Sequence, residues 1–90
     1  MTFQQPSFQR AWKKLPPAAQ TTVTAAVGRL ETSFGRPHLH AGIGLRPFGR
    51  YFELRASLGL RVLFLVEGGD FFLMTVGNHG QVRAYLKNNR

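Results

Sequence analysis

The second half of the chain most constrains the fold, because it contains three stretches with the residue pattern of β-strands. Tyr51–Ser57 alternates apolar and polar residues, as a strand with one buried face does. Leu60–Glu67 and Asp70–Val76 are rich in Leu, Val and Phe, which is typical of inner strands. The pair Gly68-Gly69 between them suits a two-residue turn with positive φ. The pattern predicts two antiparallel hairpins, and the residues that follow predict a short helix.

The first hairpin can be closed in two ways, and the choice decides which face of the sheet Arg61 occupies. A two-residue loop would place Arg61 among apolar residues, where an unpaired guanidinium is costly. A three-residue loop that starts at Ser57 and puts Gly59 in the left-handed conformation avoids this. It leaves Glu53, Arg55 and Arg61 together on one face. We therefore predict the three-residue loop, with a positive φ at Gly59.

The second hairpin brings a histidine toward the same place. If Glu67 pairs with Asp70, then Arg61 lies opposite Val76. The chain leaves this last strand just beyond Val76, so His79 should emerge within a few residues of Arg61. The sequence thus predicts a carboxylate, two arginines and a histidine at one end of a sheet.

The first half of the chain predicts a helix hairpin. The opening residues are either a frayed terminus or a short edge strand, which Pro6 ends, and Ser7 is a suitable N-cap for a first helix. Pro16-Pro17 separates it from a second helix, which is expected to end at Gly35. The second helix carries apolar residues at helical spacing: Val23, Ala26, Val27, Leu30 and Phe34. These apolar stripes should cover the face of the sheet that bears Phe52 and Leu54.

The other face of the sheet also needs a cover. A loop over residues 36–44 and a short strand, Leu45–Phe48, lead into the hairpins. An apolar strip remains on the Arg61 side, formed by Leu63, Leu65, Phe72 and Met74. Either the terminal helix, residues 81–87, or a partner protein should cover this strip.

Length and cysteine content narrow the possible classes of protein. The 90 residues contain no internal repeat or low-complexity segment, which predicts one domain over residues 1–90. The absence of cysteine excludes disulfides and thiolate zinc sites, and the three histidines fit no recognised metal motif. We therefore expect a function without a cofactor. The longest apolar runs are interrupted by charge and the N-terminus lacks a signal-peptide h-region, so a cytoplasmic protein without a membrane partner is expected.

The charge of the chain indicates an anionic partner. Twelve Lys and Arg oppose four Asp and Glu, giving a formal net charge of +8 and a pI near 11.5. A well-solvated surface normally mixes both signs of charge. An excess of this size predicts a polyanion, either a nucleic acid or an acidic protein.

The order of these elements, together with several short motifs, resembles the RelE/ParE superfamily of type II toxin–antitoxin toxins. The motifs are the opening Ser-Phe-Gln-Arg-Ala-Trp-Lys-Lys-Leu-Pro and, further on, ELR, GLRVLF, VGNH and VRAYL. The resemblance covers nearly the whole chain. It implies an α+β fold, with an N-terminal helix hairpin packed on a twisted antiparallel β-sheet and a short C-terminal helix, as in microbial ribonucleases.

The resemblance also implies functions for single residues. Arg61 matches the arginine that RelE-like toxins use on the scissile phosphate, and Tyr85 falls at the spacing of their C-terminal tyrosine. His79 follows Val-Gly-Asn and resembles the catalytic histidine of the YafQ-type toxins. Tyr51 and Glu53 stand near the positions of the two active-site lysines of RelE, which this chain lacks. The expected catalytic residues are Arg61, His79, Glu53 and Tyr85, and the expected RNA-binding residues are Arg55, Arg83, Lys13 and Lys14.

Each of these expected site residues has a structural alternative. Glu53 is either a general base or an ion-pair partner of Arg55 or Arg61. His79 is either a general acid or a cap of the terminal helix. Tyr85 either stacks on a base or packs the last helix, and the second of these is favoured.

Three functions follow from the resemblance. The leading one is a toxin that cleaves mRNA on the ribosome as a metal-independent endoribonuclease and is neutralised by an acidic antitoxin protein. The second is a ParE-like inhibitor of DNA gyrase. The third is a catalytically inactive homologue that binds an antitoxin.

Overall fold

The computed structural model describes residues 1–33 and 45–89, and these form a sheet with helices on both faces. The predicted helix end at Gly35, the loop over residues 36–44 and the two histidines within it lie outside the described residues. In chain order the elements are β1 (Thr2–Gln4), α1 (Pro6–Lys13), α2 (Pro17–Ser33), β2 (Leu45–Phe48), β3 (Tyr51–Ser57), β4 (Leu60–Glu67), β5 (Asp70–Gly77) and α3 (His79–Asn88).

The sheet has five strands in the order β1-β5-β4-β3-β2. Strands β2 to β5 are antiparallel, and this part confirms the predicted arrangement. The opening residues form the edge strand that the sequence offered as one of two options. This edge strand β1 runs parallel to β5, so the sheet as a whole is mixed.

Neighbouring residues of β4 show how the sheet separates two cores. Val62 and Leu63 are both fully buried, although consecutive residues of a strand point to opposite faces. Val62 lies in the larger core with Phe8 of α1 and Leu30 of α2. Leu63 lies in a smaller core with Val82 of α3. The predicted cover of the Phe52 and Leu54 face by the helix hairpin is confirmed.

The apolar strip on the Arg61 side is covered mainly by α3. Leu65 and Met74 pack against the small core of Leu63 and Val82. Phe72 is instead stacked on Phe3 of β1, with ring centroids 5.2 Å apart. The chain thus covers this strip with its own residues.

The start of α1 differs from the prediction. The helix begins at Pro6 with Gln5 as the N-cap, and no side chain caps it. Proline is favoured at this first position because its fixed φ already suits a helix. Ser7 is therefore inside the helix, and its hydroxyl donates to the carbonyl oxygen of Met74. The prediction that Ser7 caps α1 is wrong, and the hydroxyl ties α1 to β5.

In the first hairpin, Arg61 lies on the predicted face of the sheet, but the loop differs from the predicted one. The loop has two residues, so Ser57 pairs with Leu60, and Gly59 does not have a positive φ. The predicted three-residue loop is wrong. A β-bulge adds Ala56 between the pairs Ser57–Leu60 and Arg55–Arg61. The extra residue restores the alternation and keeps Arg61 out of the larger core.

A second bulge changes the register of the other hairpin. The turn itself is as predicted: Glu67 pairs with Asp70, and Gly68-Gly69 has φ values of 58° and 84°. Further along, Leu63 pairs with Thr75 and Phe64 with Leu73, so β5 contains one extra residue. As a result Arg61 lies opposite Gly77. The predicted partner, Val76, lies opposite Val62 instead.

Two glycines in these turns provide a stability test. Gly69 has a φ of 84°, where a β-branched residue is strained, whereas Gly59 lies outside the positive-φ region. An added Cβ would have open space at either position, so only the backbone conformation distinguishes the two sites. We expect Gly69→Val to lower the free energy of unfolding by about 1–2 kcal/mol. The matched Gly59→Val should change it by about 0.5 kcal/mol or less. Urea denaturation measures both, and equal losses would contradict the described turns.

Candidate functional site

A buried ion pair between β3 and β4 forms the base of the candidate site. The side chain of Glu53 is 5% exposed and that of Arg61 is 15% exposed, and Arg61 Nε lies 3.5 Å from Glu53 Oε1. A carboxylate in this position needs a cation nearby, because a buried unpaired charge is very costly. Of the two options that the sequence left for Glu53, the structure shows the ion pair with Arg61.

Only some of the N–H donors of the Arg61 guanidinium have hydrogen-bond acceptors among the described residues. Its Nη1 donates to the carbonyl oxygen of Ser57 over a long distance of 3.4 Å. Its Nε is buried and makes no hydrogen bond within the described residues. Since arginine has five N–H donors, several remain available to an anion at the mouth of the site.

Arg55 lies directly across the ladder from Arg61 and is exposed. Two arginines at opposed positions repel each other. The Glu53 carboxylate, two residues along β3 on the same face, offsets part of this repulsion. The prediction that these three residues share a face is confirmed, and together they leave an excess of positive charge.

The start of α3 fixes the position of His79. Asn78 is the N-cap: its side chain accepts from the backbone N–H of Gln81 at 2.8 Å, and the Gln81 side chain accepts from the Asn78 N–H at 2.8 Å. A Cβ at Gly77 would collide with the Gln81 side chain, so a larger residue there would displace the amide that completes this cap. Asn78 and not His79 is therefore the cap. His79 is the first residue of the helix, exposed, two residues beyond the partner of Arg61.

His79 is held by a residue one helical turn further on. Arg83 Nε donates to His79 Nε2, with 2.9 Å between the two nitrogens. A guanidinium can only donate, so His79 Nε2 is the acceptor in this hydrogen bond.

Two tyrosines, Tyr85 on α3 and Tyr51 on β3, hold the helix against the sheet. Tyr85 is half-buried and packs against the small core of Leu63 and Val82, which fits the packing role favoured for it. The buried Tyr51 accepts a hydrogen bond from Arg50 Nη2 at 3.1 Å and donates to the Asn89 carbonyl oxygen at 3.2 Å. Sequence reasoning gave no function to Arg50, although it directly precedes Tyr51 in the chain. It gave none to Asn89 either, because the contact of Asn89 with Tyr51 depends on where the end of α3 lies.

The expected RNA-binding residues separate into two groups. Arg55 and Arg83 lie on the α3 side with Arg61 and His79. Lys13 lies at the end of α1 and Lys14 follows it, both exposed, on the side of the sheet that the helix hairpin covers. The structure does not bring these two lysines to the candidate site.

The described residues contain no group of three or more His, Cys, Asp or Glu that could hold a metal ion. Within residues 1–33 and 45–89, no helix is long and apolar enough to cross a membrane.

Comparisons with known proteins identify the fold. The sequence matches none of the known protein families and none of the curated proteins. Solved structures do match. A copper-bound mutant toxin from Helicobacter pylori has a TM-score of 0.72 at 15% identity, over 90% of this chain and 96% of that one. A chain of the RelB–RelE antitoxin–toxin complex from Methanococcus jannaschii has a TM-score of 0.71 at 13% identity, over 92% and 96%. The isolated RelE toxin of E. coli has a TM-score of 0.65 at 15% identity, over 98% and 97%. The chain therefore has the fold of the RelE toxins.

The Glu53–Arg61 pair predicts a difference between two arginine variants with the same change in charge. Arg61→Ala leaves the buried carboxylate unpaired and should lower the free energy of unfolding by about 2 kcal/mol. Arg55→Ala removes an exposed cation and should change it by about 0.5 kcal/mol or less. Adding Glu53→Gln to Arg61→Ala should recover part of the loss, because the uncompensated charge is then gone. Urea unfolding of the four proteins tests this, and equal effects of the two arginine variants would rule out a stabilising ion pair.

Proposed function

We propose that this protein is the toxin of a type II toxin–antitoxin system and that it cleaves mRNA on the ribosome. The fold shared with RelE toxins supports the toxin class. The observation that supports RNA cleavage is the position of Arg61 at a strand end opposite Gly77, two residues before His79 at the start of α3. This arrangement combines a permanent cation with an imidazole at one end of the sheet.

The reaction that fits these groups is cleavage by the RNA's own 2′-hydroxyl. The 2′-oxygen forms a bond to phosphorus, the bond from phosphorus to the 5′-oxygen breaks, and a 2′,3′-cyclic phosphate and a 5′-hydroxyl result. One group must remove the proton of the 2′-hydroxyl, and one must protonate the leaving 5′-oxygen. A cation must also stabilise the charge that develops on the phosphate oxygens.

Arg61 supplies that cation in the proposed mechanism. Its Nε is buried against Glu53, so its two Nη groups are the donors that can contact a phosphate, and a guanidinium is a permanent cation. Glu53 is buried against Arg61, so we assign it a positioning function: it fixes the direction of the guanidinium. This replaces the alternative in which Glu53 takes the proton of the substrate, since a carboxylate that is 5% exposed meets no substrate hydroxyl.

His79 moves the proton in this mechanism. As an imidazolium it protonates the leaving 5′-oxygen, which is the general-acid function expected from the sequence. The attacking and leaving oxygens lie on opposite sides of the phosphorus, so water and not His79 takes the proton of the 2′-hydroxyl. A protonated Nε2 cannot accept from Arg83, so this hydrogen bond must break during the reaction.

The chemistry is tested with variants that keep the fold. Arg61→Lys retains a cation beside Glu53 but loses the bidentate contact, and His79→Ala removes the proton carrier. Each should lower the rate of mRNA cleavage about a hundredfold. Arg10→Ala, an exposed site on α1, is the control and should keep the rate within about twofold of that of the unaltered protein. Growth arrest on induction and mapping of mRNA 5′ ends are the measurements.

The outcome also separates the alternatives. Arrest that persists in both variants, with uncut transcripts and blocked supercoiling by gyrase, would replace the nuclease with a ParE-like function. An unaltered protein that neither arrests growth nor cuts RNA would be an inactive homologue.

The distribution of acidic groups supports an acidic antitoxin as the partner. Two of the four acidic side chains are already paired with a cation within the chain: Glu53 with Arg61 and Asp70 with the N-terminal ammonium. The exposed surface therefore offers positive charge with little compensation. An acidic segment that folds onto it would bind by complementary charge.

We expect co-expression with small acidic proteins encoded beside this one to give a stable complex. Its association rate should fall at least tenfold when the salt concentration rises from about 0.05 M to about 0.5 M, because salt screens the attraction. Pull-down and stopped-flow mixing test this. Failure of every neighbouring acidic protein to bind would count against the toxin–antitoxin assignment.

A further inference from the structure

A groove lies between the turn that follows β2 and the C-terminal half of α3. Its volume is about 720 Å³, which is within the range of small-molecule sites. Phe48, Tyr51 and Leu86 form much of its apolar surface, and Arg50, Arg83 and Lys87 contribute its charged groups. No lining residue is acidic among those that the structure describes.

Arg50 contacts Tyr51 in this groove in two ways. Its guanidinium carbon lies 5.1 Å from the centre of the Tyr51 ring, and its Nη2 donates to the Tyr51 hydroxyl at 3.1 Å. The same hydrogen bond raises the pKa of Arg50 above its usual value, so the group stays charged. A guanidinium plane fixed in this way is a surface on which a nucleobase can stack.

Arg83 connects the groove with the candidate catalytic groups. It lines the groove and donates to His79 Nε2 at 2.9 Å. An RNA strand whose scissile phosphate lies at Arg61 and His79 would therefore place a flanking nucleotide beside this groove.

We propose that the groove binds the nucleotide that flanks the scissile phosphate, an inference that rests on the proposed RNA cleavage. The base contacts Phe48, Leu86 and the plane of Arg50, and its phosphate contacts Arg83 and Lys87. This phosphate competes for Arg83 and so frees His79 Nε2 for proton transfer. Occupation of the groove thereby couples substrate binding to activation of the imidazole.

Charge and shape favour a nucleotide over an acidic peptide here. A nucleotide offers a flat aromatic base and an anionic phosphate a short distance apart. The groove offers a guanidinium on an aromatic ring and an apolar surface, which suit the base. It also offers two further cations, which suit the phosphate. Stacking and phosphate contacts are thus satisfied by a single residue of the strand.

The experiment uses the full chain, labelled with ¹⁵N, and a trinucleotide of 2′-O-methyl RNA, which cannot be cleaved by 2′-hydroxyl attack. On titration, the amide signals of Gly49, Ala84 and Lys87 should shift, and the ring nitrogen signals of His79 should move as Arg83 leaves Nε2. Arg50→Gln and Lys87→Gln should each weaken the affinity about fivefold to tenfold. The matched control Arg29→Gln, with the same loss of charge on the exposed side of α2, should change it less than twofold.

The outcomes distinguish this inference from the proposed function. Shifts confined to the neighbourhood of Arg61, with cleavage intact, overturn the groove and leave the nuclease. Equal weakening by all three variants also overturns it, because the binding is then only a response to net charge. A groove that binds an acidic peptide but no oligonucleotide overturns it as well. Specific groove binding without any RNA cleavage supports the groove as a nucleotide site and overturns the nuclease.

Discussion

The pairing of Glu53 with Arg61 is the constraint on which the arrangement of the sheet depends. A one-residue slip between β3 and β4 would turn one of these charges into the larger core, where Val62 and Phe64 are fully buried. Two bulges, at Ala56 and Met74, absorb the extra residues on either side of β4 and keep the pair on the α3 face. The cost of a misplaced charge therefore fixes the register, and the bulges are the local adjustments that permit it.

This explains which parts of the fold the sequence could predict. The face of Arg61 was predicted correctly although the loop was not, because excluding a charge from the core does not depend on how the loop closes. The turn at Gly68-Gly69 was correct because it is local. The positive φ at Gly59 and the Arg61–Val76 pairing were wrong, since neither bulge leaves a mark in the alternation of apolar residues. The parallel direction of β1 could not be predicted from the sequence, because it depends on which edge of the sheet is free.

The residues of the candidate site can also be separated into those that the sequence predicted and those that it did not. Glu53 and Arg61 were found from the strand pattern and His79 from its position after β5. The hydrogen bond from Arg83 to His79 is a one-turn contact within α3, so helical spacing would have revealed it had the helix been predicted to begin at His79. The contact between Tyr51 and Asn89 had no such signal. It arises where the end of a helix meets a distant strand, which no local pattern encodes.

Because the sheet separates the two cores, the size of a ligand decides how many basic surfaces of the protein it can contact. Arg55, Arg61 and Arg83 lie on the α3 side, while Lys13, Lys14 and Arg29 lie on the side of the helix hairpin. The protein measures 32 × 30 × 22 Å along its principal axes. A ligand of two or three nucleotides meets one of these basic surfaces alone. Only a body broad enough to reach around the sheet, such as a large folded nucleic acid, contacts both at once.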